Sequence, residues 1–266
     1  MKRFLIKIGF LLGVIFSILY ISKYNYLLKG INTIYMRGHT TAYLDDYKSF
    51  PNQVVNGSEK TDEWPLHKNF NFIPLREEIE KYNQERRTVA YLIIKNDSIL
   101  FEKYYEGFNA DSKSNSFSMV KSVVSALMWI AIQEGHINGL DQKVIDFLPS
   151  LKGPYAKDLK IGDLSTMSSG LKWKEEYYNP FSVTSASYFV ENLDALILDQ
   201  PIENEPGQSF RYKSGSTQLL GMVIKIATGT SLSNYLSEKL WKIIGAKDAF
   251  WQLDSTNNGM EKAFCC

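Results

Sequence analysis

Residues 117 to 135 constrain this chain more than any other stretch. Phe117-Ser118-Met119-Val120-Lys121 runs directly into Ser122-Val123-Val124-Ser125-Ala126-Leu127-Met128-Trp129-Ile130-Ala131-Ile132-Gln133-Glu134-Gly135. Between Met119 and Ile132 only Lys121, Ser122 and Ser125 are polar. A helix here is apolar on nearly every face, so the pattern predicts a central, buried helix. Ser118 stands at the N-cap or first turn, and Gly135 where a left-handed cap would end the helix.

A lysine three residues after a serine shares the side of the first turn, within reach of the serine oxygen. Serine is a weak nucleophile until a neighbour takes its proton, and desolvation brings catalytic lysines toward roughly pKa 7 to 8. The helix N-terminus favours negative charge developing at that serine. The plain alternative is a capping serine beside a lysine that snorkels to water. Ser169-Gly170-Leu171-Lys172 has the same spacing but no apolar helix after it, so Ser118 is the better candidate.

The 266 residues, 44% hydrophobic and of net charge +1, suit one globular domain with an ample core and give no argument for a nucleic-acid partner. The two cysteines, Cys265 and Cys266, are adjacent, which suggests neither a disulfide framework nor a cysteine metal site. His39, His67 and His136 are far apart and outside any H-E-x-x-H pattern.

Residues 4–22 are apolar apart from Lys7 and two serines, and follow Lys2 and Arg3. As a helix they would span about 28 Å, close to the ~30 Å hydrocarbon core of a bilayer. With no small-residue cleavage site after them, residues 1–23 are expected to be an uncleaved signal anchor. The basic residues place the N-terminus inside, so the remainder is expected outside the cytoplasm with the membrane as a partner.

Residues 24–70, with scattered aromatics and no sustained period, suggest an extended arm between membrane and domain, ordered in part by its aromatics. Residues 71–266 follow as the main domain. Leu75 to Tyr82 has a helical pattern, and 89–105 forms a hairpin about Lys95-Asn96-Asp97-Ser98, although two strands make no stable sheet alone. Short helices are expected near 141–147 and 158–168, and further ones at about 185–198, 215–228 and 232–241. Strands early and helices later predict an α+β architecture.

A tyrosine held against the serine and lysine could share the proton transfer. Tyr20, Tyr47 and Tyr212 each begin a Tyr-x-Ser, and Tyr177-Tyr178-Asn179 is a Tyr-x-Asn rival. The residues alone do not choose among them.

The ordered set Phe117-Ser118-Met119-Val120-Lys121-Ser122, Gly139-Leu140-Asp141, Thr166-Met167-Ser168-Ser169-Gly170-Leu171, Pro206-Gly207 with Phe210, Tyr212 and Ser214, Leu220-Gly221 and Leu240-Trp241 resembles the serine β-lactamase and penicillin-binding-protein superfamily. The likeness covers about residues 70–266 and is greatest to class C-like hydrolases and esterases of the 6-aminohexanoate-dimer hydrolase type.

It implies an antiparallel sheet with a helical layer, Ser118 as acylated nucleophile, Lys121 as its proton acceptor and Tyr212 as second-motif base. Ser214 stands where many members carry Asn, and the Ser118 N–H would form half of an oxyanion hole. Glu175, Tyr177, Tyr178 and Phe181 are candidates for the substrate entrance. No metal or cofactor is implied.

The family's third motif is missing after Tyr212, so the chain is expected to be C-terminally truncated, without the last part of the sheet and with reduced activity. The expected substrate is a small amide or ester. A β-lactamase or D-alanyl-D-alanine peptidase, or a sensor of β-lactams or cell-wall peptide that stays acylated, are the alternatives.

Overall fold

A computed structural model describes residues 24–61 and 63–266, with positions 4, 7, 10, 13, 14, 17 and 19–22 before them. The membrane span expected over residues 4–22 lies for the most part outside the described residues. Among the described residues no helix is long and apolar enough to cross a membrane.

Where composition suggests an extended arm, the chain instead contributes to the core. Helix α1 (Tyr26–Thr33) buries Tyr26, Gly30 and Thr33, four and three residues apart and so on one face. It packs on the helix over Val183–Phe189, and the Tyr26 hydroxyl donates to the Pro180 carbonyl at 3.0 Å. Phe50 is buried with its ring edge-on to Tyr188 at 5.3 Å. Strand β1 (Asn52–Val55) then pairs antiparallel with β4 (Ala249–Gln252), Asn52 opposite Gln252 and Val55 opposite Ala249. Aromatic anchors thus fix a segment in which periodicity is too short to be seen.

Helix α2 (Glu77–Glu85) leads into the hairpin of β2 (Ala90–Lys95) and β3 (Ser98–Tyr104). Asn96 and Asp97 take φ of 50° and 55°, the left-handed pair that a two-residue hairpin turn requires. Among the described residues the expected antiparallel sheet is two separate two-stranded sheets, β1–β4 and β2–β3. A two-stranded sheet needs outside support. For β2–β3, His67 N–H donates to the Ile99 carbonyl, Ile99 N–H to that of Pro65, and the Asn71 side chain bonds the Glu102 backbone both ways.

Helix α3 (Val120–Gln133) follows a 3₁₀ turn over Phe117–Met119. It buries Val120, Lys121, Val124, Leu127, Met128 and Ala131, while Met119 and Trp129 are exposed. The central helix expected from the apolar run forms, but it is most deeply buried on one side: α3 packs against α7 (Ser214–Thr228), which is buried continuously from Ser214 to Ile224. Between them lie the short helices α4 (Ile161–Ser165), α5 (Val183–Phe189) and α6 (Leu193–Leu198). Helix α8 (Leu232–Leu236) turns into a π turn over Ser237–Trp241. Ser182, Asn192 and Ser231 cap α5, α6 and α8, each side-chain oxygen accepting a first-turn N–H.

Residues 260–266 are buried against α7. The Gln218 amide donates to the Glu261 carbonyl at 3.0 Å and accepts the Ala263 N–H at 2.8 Å. Cys265 and Cys266 form a disulfide with each other, where no pairing was expected. A bond between neighbours closes no chain loop, so it adds no long-range framework.

Two turns are stapled together at Gly170. The Gly170 carbonyl accepts the N–H groups of Glu203 and Asn204 at 3.0 and 3.1 Å. Gly170 has φ of 68°, and a Cβ there would lie 2.0 Å from the Asn204 carbonyl oxygen. Gly170→Ala combines left-handed strain with that collision and is expected to cost more than about 2 kcal/mol in urea unfolding.

Lys262 is fully buried, its Nζ donating to the Tyr188 carbonyl at 2.6 Å and lying 3.5 Å from the Phe50 ring centroid. Burial, then the nearby Lys29 charge, push its pKa well below the lysine range. Between that depressed value and the unfolded value near 10.4, the unfolded chain binds the extra proton, so this residue makes stability rise with pH across that window. Lys262→Met is expected to stabilise the protein by about 1 kcal/mol or more at pH 7 and to flatten that rise, measured by urea unfolding at several pH values.

Candidate active site

Phe117, immediately before the candidate serine, has φ of 48°, a conformation that costs a non-glycine residue about 1–2 kcal/mol. Backbone strain of this kind concentrates at functional sites. Ser118 follows in the 3₁₀ turn, and its side chain makes no capping bond to the helix. Lys121 is one turn further on and buried. Its Nζ donates to Ser118 Oγ at 3.0 Å and also to the Phe264 carbonyl. The alternative of a capping serine beside a snorkelling lysine is therefore not what the chain forms.

The Tyr212 hydroxyl donates to the same Ser118 Oγ at 2.7 Å. Lys121 Nζ lies 5.2 Å from the Tyr212 ring centroid, so the three groups form one cluster. Tyr177 donates instead to Glu175. In the rival serine–lysine spacing, Ser169 is buried with its Oγ 2.7 Å from that of Ser216, and Lys172 points to Glu203 at 3.0 Å. Those two side chains are thus engaged elsewhere.

The loop carrying Tyr212 is held by backbone bonds. Gly207 N–H donates to the Ser168 carbonyl at 2.8 Å and Arg211 N–H to that of Met167 at 2.7 Å. Lys213 Nζ reaches the Leu171 carbonyl. Just beyond, Gly215 lets α7 begin against Leu171 and Trp173, since a Cβ there would meet their side chains at 2.6 and 2.7 Å. The Thr166–Leu171 and Pro206–Ser214 motifs are therefore two sides of one mount for the tyrosine.

Glu175 braces that mount from behind. Its carboxylate accepts Trp173 Nε1–H at 2.8 Å, the Tyr177 hydroxyl at 2.8 Å, Ser214 N–H at 2.9 Å and Ser214 Oγ–H at 2.6 Å. Partial burial, then this carboxylate, push the Tyr177 phenol up, which keeps it a neutral donor. A cavity of about 560 Å³ opens beside Ser118, and Ser214, Tyr177, Tyr178 and Phe181 line it. Glu175 is not among its lining residues.

Two supports were not legible in the sequence. Asn115, in the approach to Ser118, donates from its side chain to the Tyr188 hydroxyl at 2.9 Å and from its N–H to the Leu44 carbonyl at 2.7 Å. The Phe264 carbonyl on Lys121 is a backbone group, for which no side-chain pattern exists. Among the described residues, no group of three or more His, Cys, Asp and Glu could hold a metal ion.

Comparison with known proteins places the chain in a family. A beta-lactamase family model matches residues 75–258. The chain is 25% identical over 193 residues to a 6-aminohexanoate-dimer hydrolase of Paenarthrobacter ureafaciens, covering 68% of this chain and 49% of that one. It is 26% identical over 164 residues to protein flp of Staphylococcus aureus strain COL, covering 58% and 32%. The chain thus spans half or less of the length of these curated relatives. A solved Bacillus anthracis structure described as a 6-aminohexanoate-dimer hydrolase superposes with TM-score 0.69 at 19% identity, over 93% of this chain and 66% of its own, a likeness of fold. With more than half of its length matched, the chain belongs to the beta-lactamase family.

Proposed function

We propose that the protein hydrolyses amide or ester bonds of small molecules through an acyl-enzyme on Ser118. The observation that carries this reading is the position of Ser118 Oγ, 3.0 Å from Lys121 Nζ and 2.7 Å from the Tyr212 hydroxyl. Both partners donate to the oxygen at rest, which occupies its two lone pairs. For Oγ to attack, one partner must turn from donor to acceptor, and Lys121 in its amine form has the lone pair this requires.

Oγ then bonds to the substrate carbonyl carbon while its proton passes to Lys121. The carbonyl oxygen takes the negative charge beside the Ser118 N–H at the head of α3, where the helix field is favourable. When the tetrahedral adduct collapses, the C–N or C–O bond breaks and the proton reaches the departing amine or alkoxide through Lys121 and Tyr212. Water enters by the reverse route: it adds to the acyl carbon, gives its proton to the same pair, and releases a carboxylic acid and free Ser118.

The relatives named for 6-aminohexanoate-dimer hydrolysis support an amide-cleaving member of the family. The apolar run over residues 4–22 with its basic flank supports anchorage at a membrane with this domain outside the cytoplasm.

Labelling with a fluorophosphonate, read by intact mass, tests the reading. One adduct is expected on the wild type and none on Ser118→Ala. Lys121→Met and Tyr212→Phe are each expected to slow labelling and ester turnover by on the order of 100-fold or more with the fold retained by circular dichroism. An adduct that persists in Ser118→Ala, or wild-type rates in both other variants, contradicts it.

A further inference from the structure

The cavity beside Ser118 has an unusual wall. Helix α1 contributes Leu27, Gly30 and Ile31, Ile34 follows just beyond it, and Phe181, Tyr188 and Phe189 line the cavity as well. Its polar contributions are hydroxyls, from Thr40, Thr41, Thr184, Ser185, Ser214 and the tyrosines. Among the described residues, none that lines it carries a carboxylate, amine, guanidinium or imidazole. The charged side chains Asp111, Lys113, Lys247 and Asp248 line a second cavity that does not include Ser118. A ligand carboxylate or ammonium seated beside Ser118 in the first cavity would lose hydration without gaining an opposite charge from the described residues, which is costly.

The geometry also says which half of a substrate enters. The leaving group must stay within reach of Lys121 and Tyr212 to receive its proton, and neither of these lines the cavity, whereas Ser118 does. The part that remains on Ser118 after cleavage is the acyl group. At about 560 Å³ the space has the size of a small-molecule site.

Resting on the hydrolase reading above, we infer that this cavity is an acyl pocket, and that the preferred substrates are esters or amides of neutral, apolar acyl groups of medium length. The C–O or C–N bond that breaks lies at the cavity mouth, and the chain beyond the carbonyl lies along α1. Burial of each added methylene then favours the transition state by the ordinary apolar transfer free energy.

The test uses 4-nitrophenyl esters from acetate to octanoate, which share one leaving group, with 4-nitrophenyl hemisuccinate as an anionic acyl of comparable size to the butyrate. We expect kcat/KM to rise about threefold per methylene and by at least about 100-fold from acetate to octanoate. We expect hemisuccinate to react more slowly than butyrate. Ile31→Trp, which adds bulk at the α1 wall, is expected to lower the octanoate-to-acetate ratio by about tenfold or more.

A flat chain-length profile, an Ile31→Trp ratio equal to wild type, or hemisuccinate outrunning butyrate overturns the acyl pocket. Fluorophosphonate labelling of Ser118 in the same preparation separates the two ideas. If Ser118 labels while the profile is flat, the pocket falls and the hydrolase stands. If Ser118 neither labels nor turns over any ester in a folded protein, both fall.

Discussion

The structure depends on how one buried amine is satisfied. Lys121 lies on the packed side of α3, where a nitrogen without partners would be costly. It finds two, the Ser118 hydroxyl one turn back and the Phe264 carbonyl from the far end of the chain. The first contact is local and follows from helix geometry. The second requires residues 260–266 to lie under α3 and α7, where the Gln218 amide holds them by two backbone bonds. The same nitrogen therefore ties the candidate nucleophile to the packing of the core.

Tyr212 reaches the cluster by a different logic. It stands on a loop, where side chains are ordinarily free to move. Here the loop is bonded to the 167–171 turn, and Glu175 joins the end of that loop to Trp173 and Tyr177. Positioning a hydroxyl to within hydrogen-bond distance of Ser118 depends on this second layer, since a catalytic group is only as well placed as its support. The strained Phe117 and the Asn115 side chain do the equivalent for Ser118.

Much of this was legible in the sequence, for identifiable reasons. The helix over 120–133 shows in an apolar run, the hairpin in its Asn-Asp turn, and α7 in the pattern after Ser214. The serine, lysine and tyrosine could be named together because the resemblance supplied an order that no single tetrapeptide has. Hidden features are those that side-chain identity does not encode. Burial on one face of α3 depends on which partner arrives. The pairing of β1 with β4 joins segments almost two hundred residues apart. Residues 24–55 show their aromatics but not the helix and strand they form, and Glu175, expected at the substrate entrance, instead has its carboxylate occupied by four donors.

In this mechanism the acyl group of the substrate is first transferred to Ser118 as the scissile C–O or C–N bond breaks. The most direct measurement is acid quenching during turnover of a chromogenic ester, followed by digestion and mass spectrometry of the peptide that contains residues 117–121. An initial burst close to one equivalent of leaving group is expected, when deacylation is the slow step, with the acyl mass on Ser118. Acyl mass on another residue, or steady turnover with neither a burst nor any trapped acyl peptide across esters of differing leaving group, would contradict it.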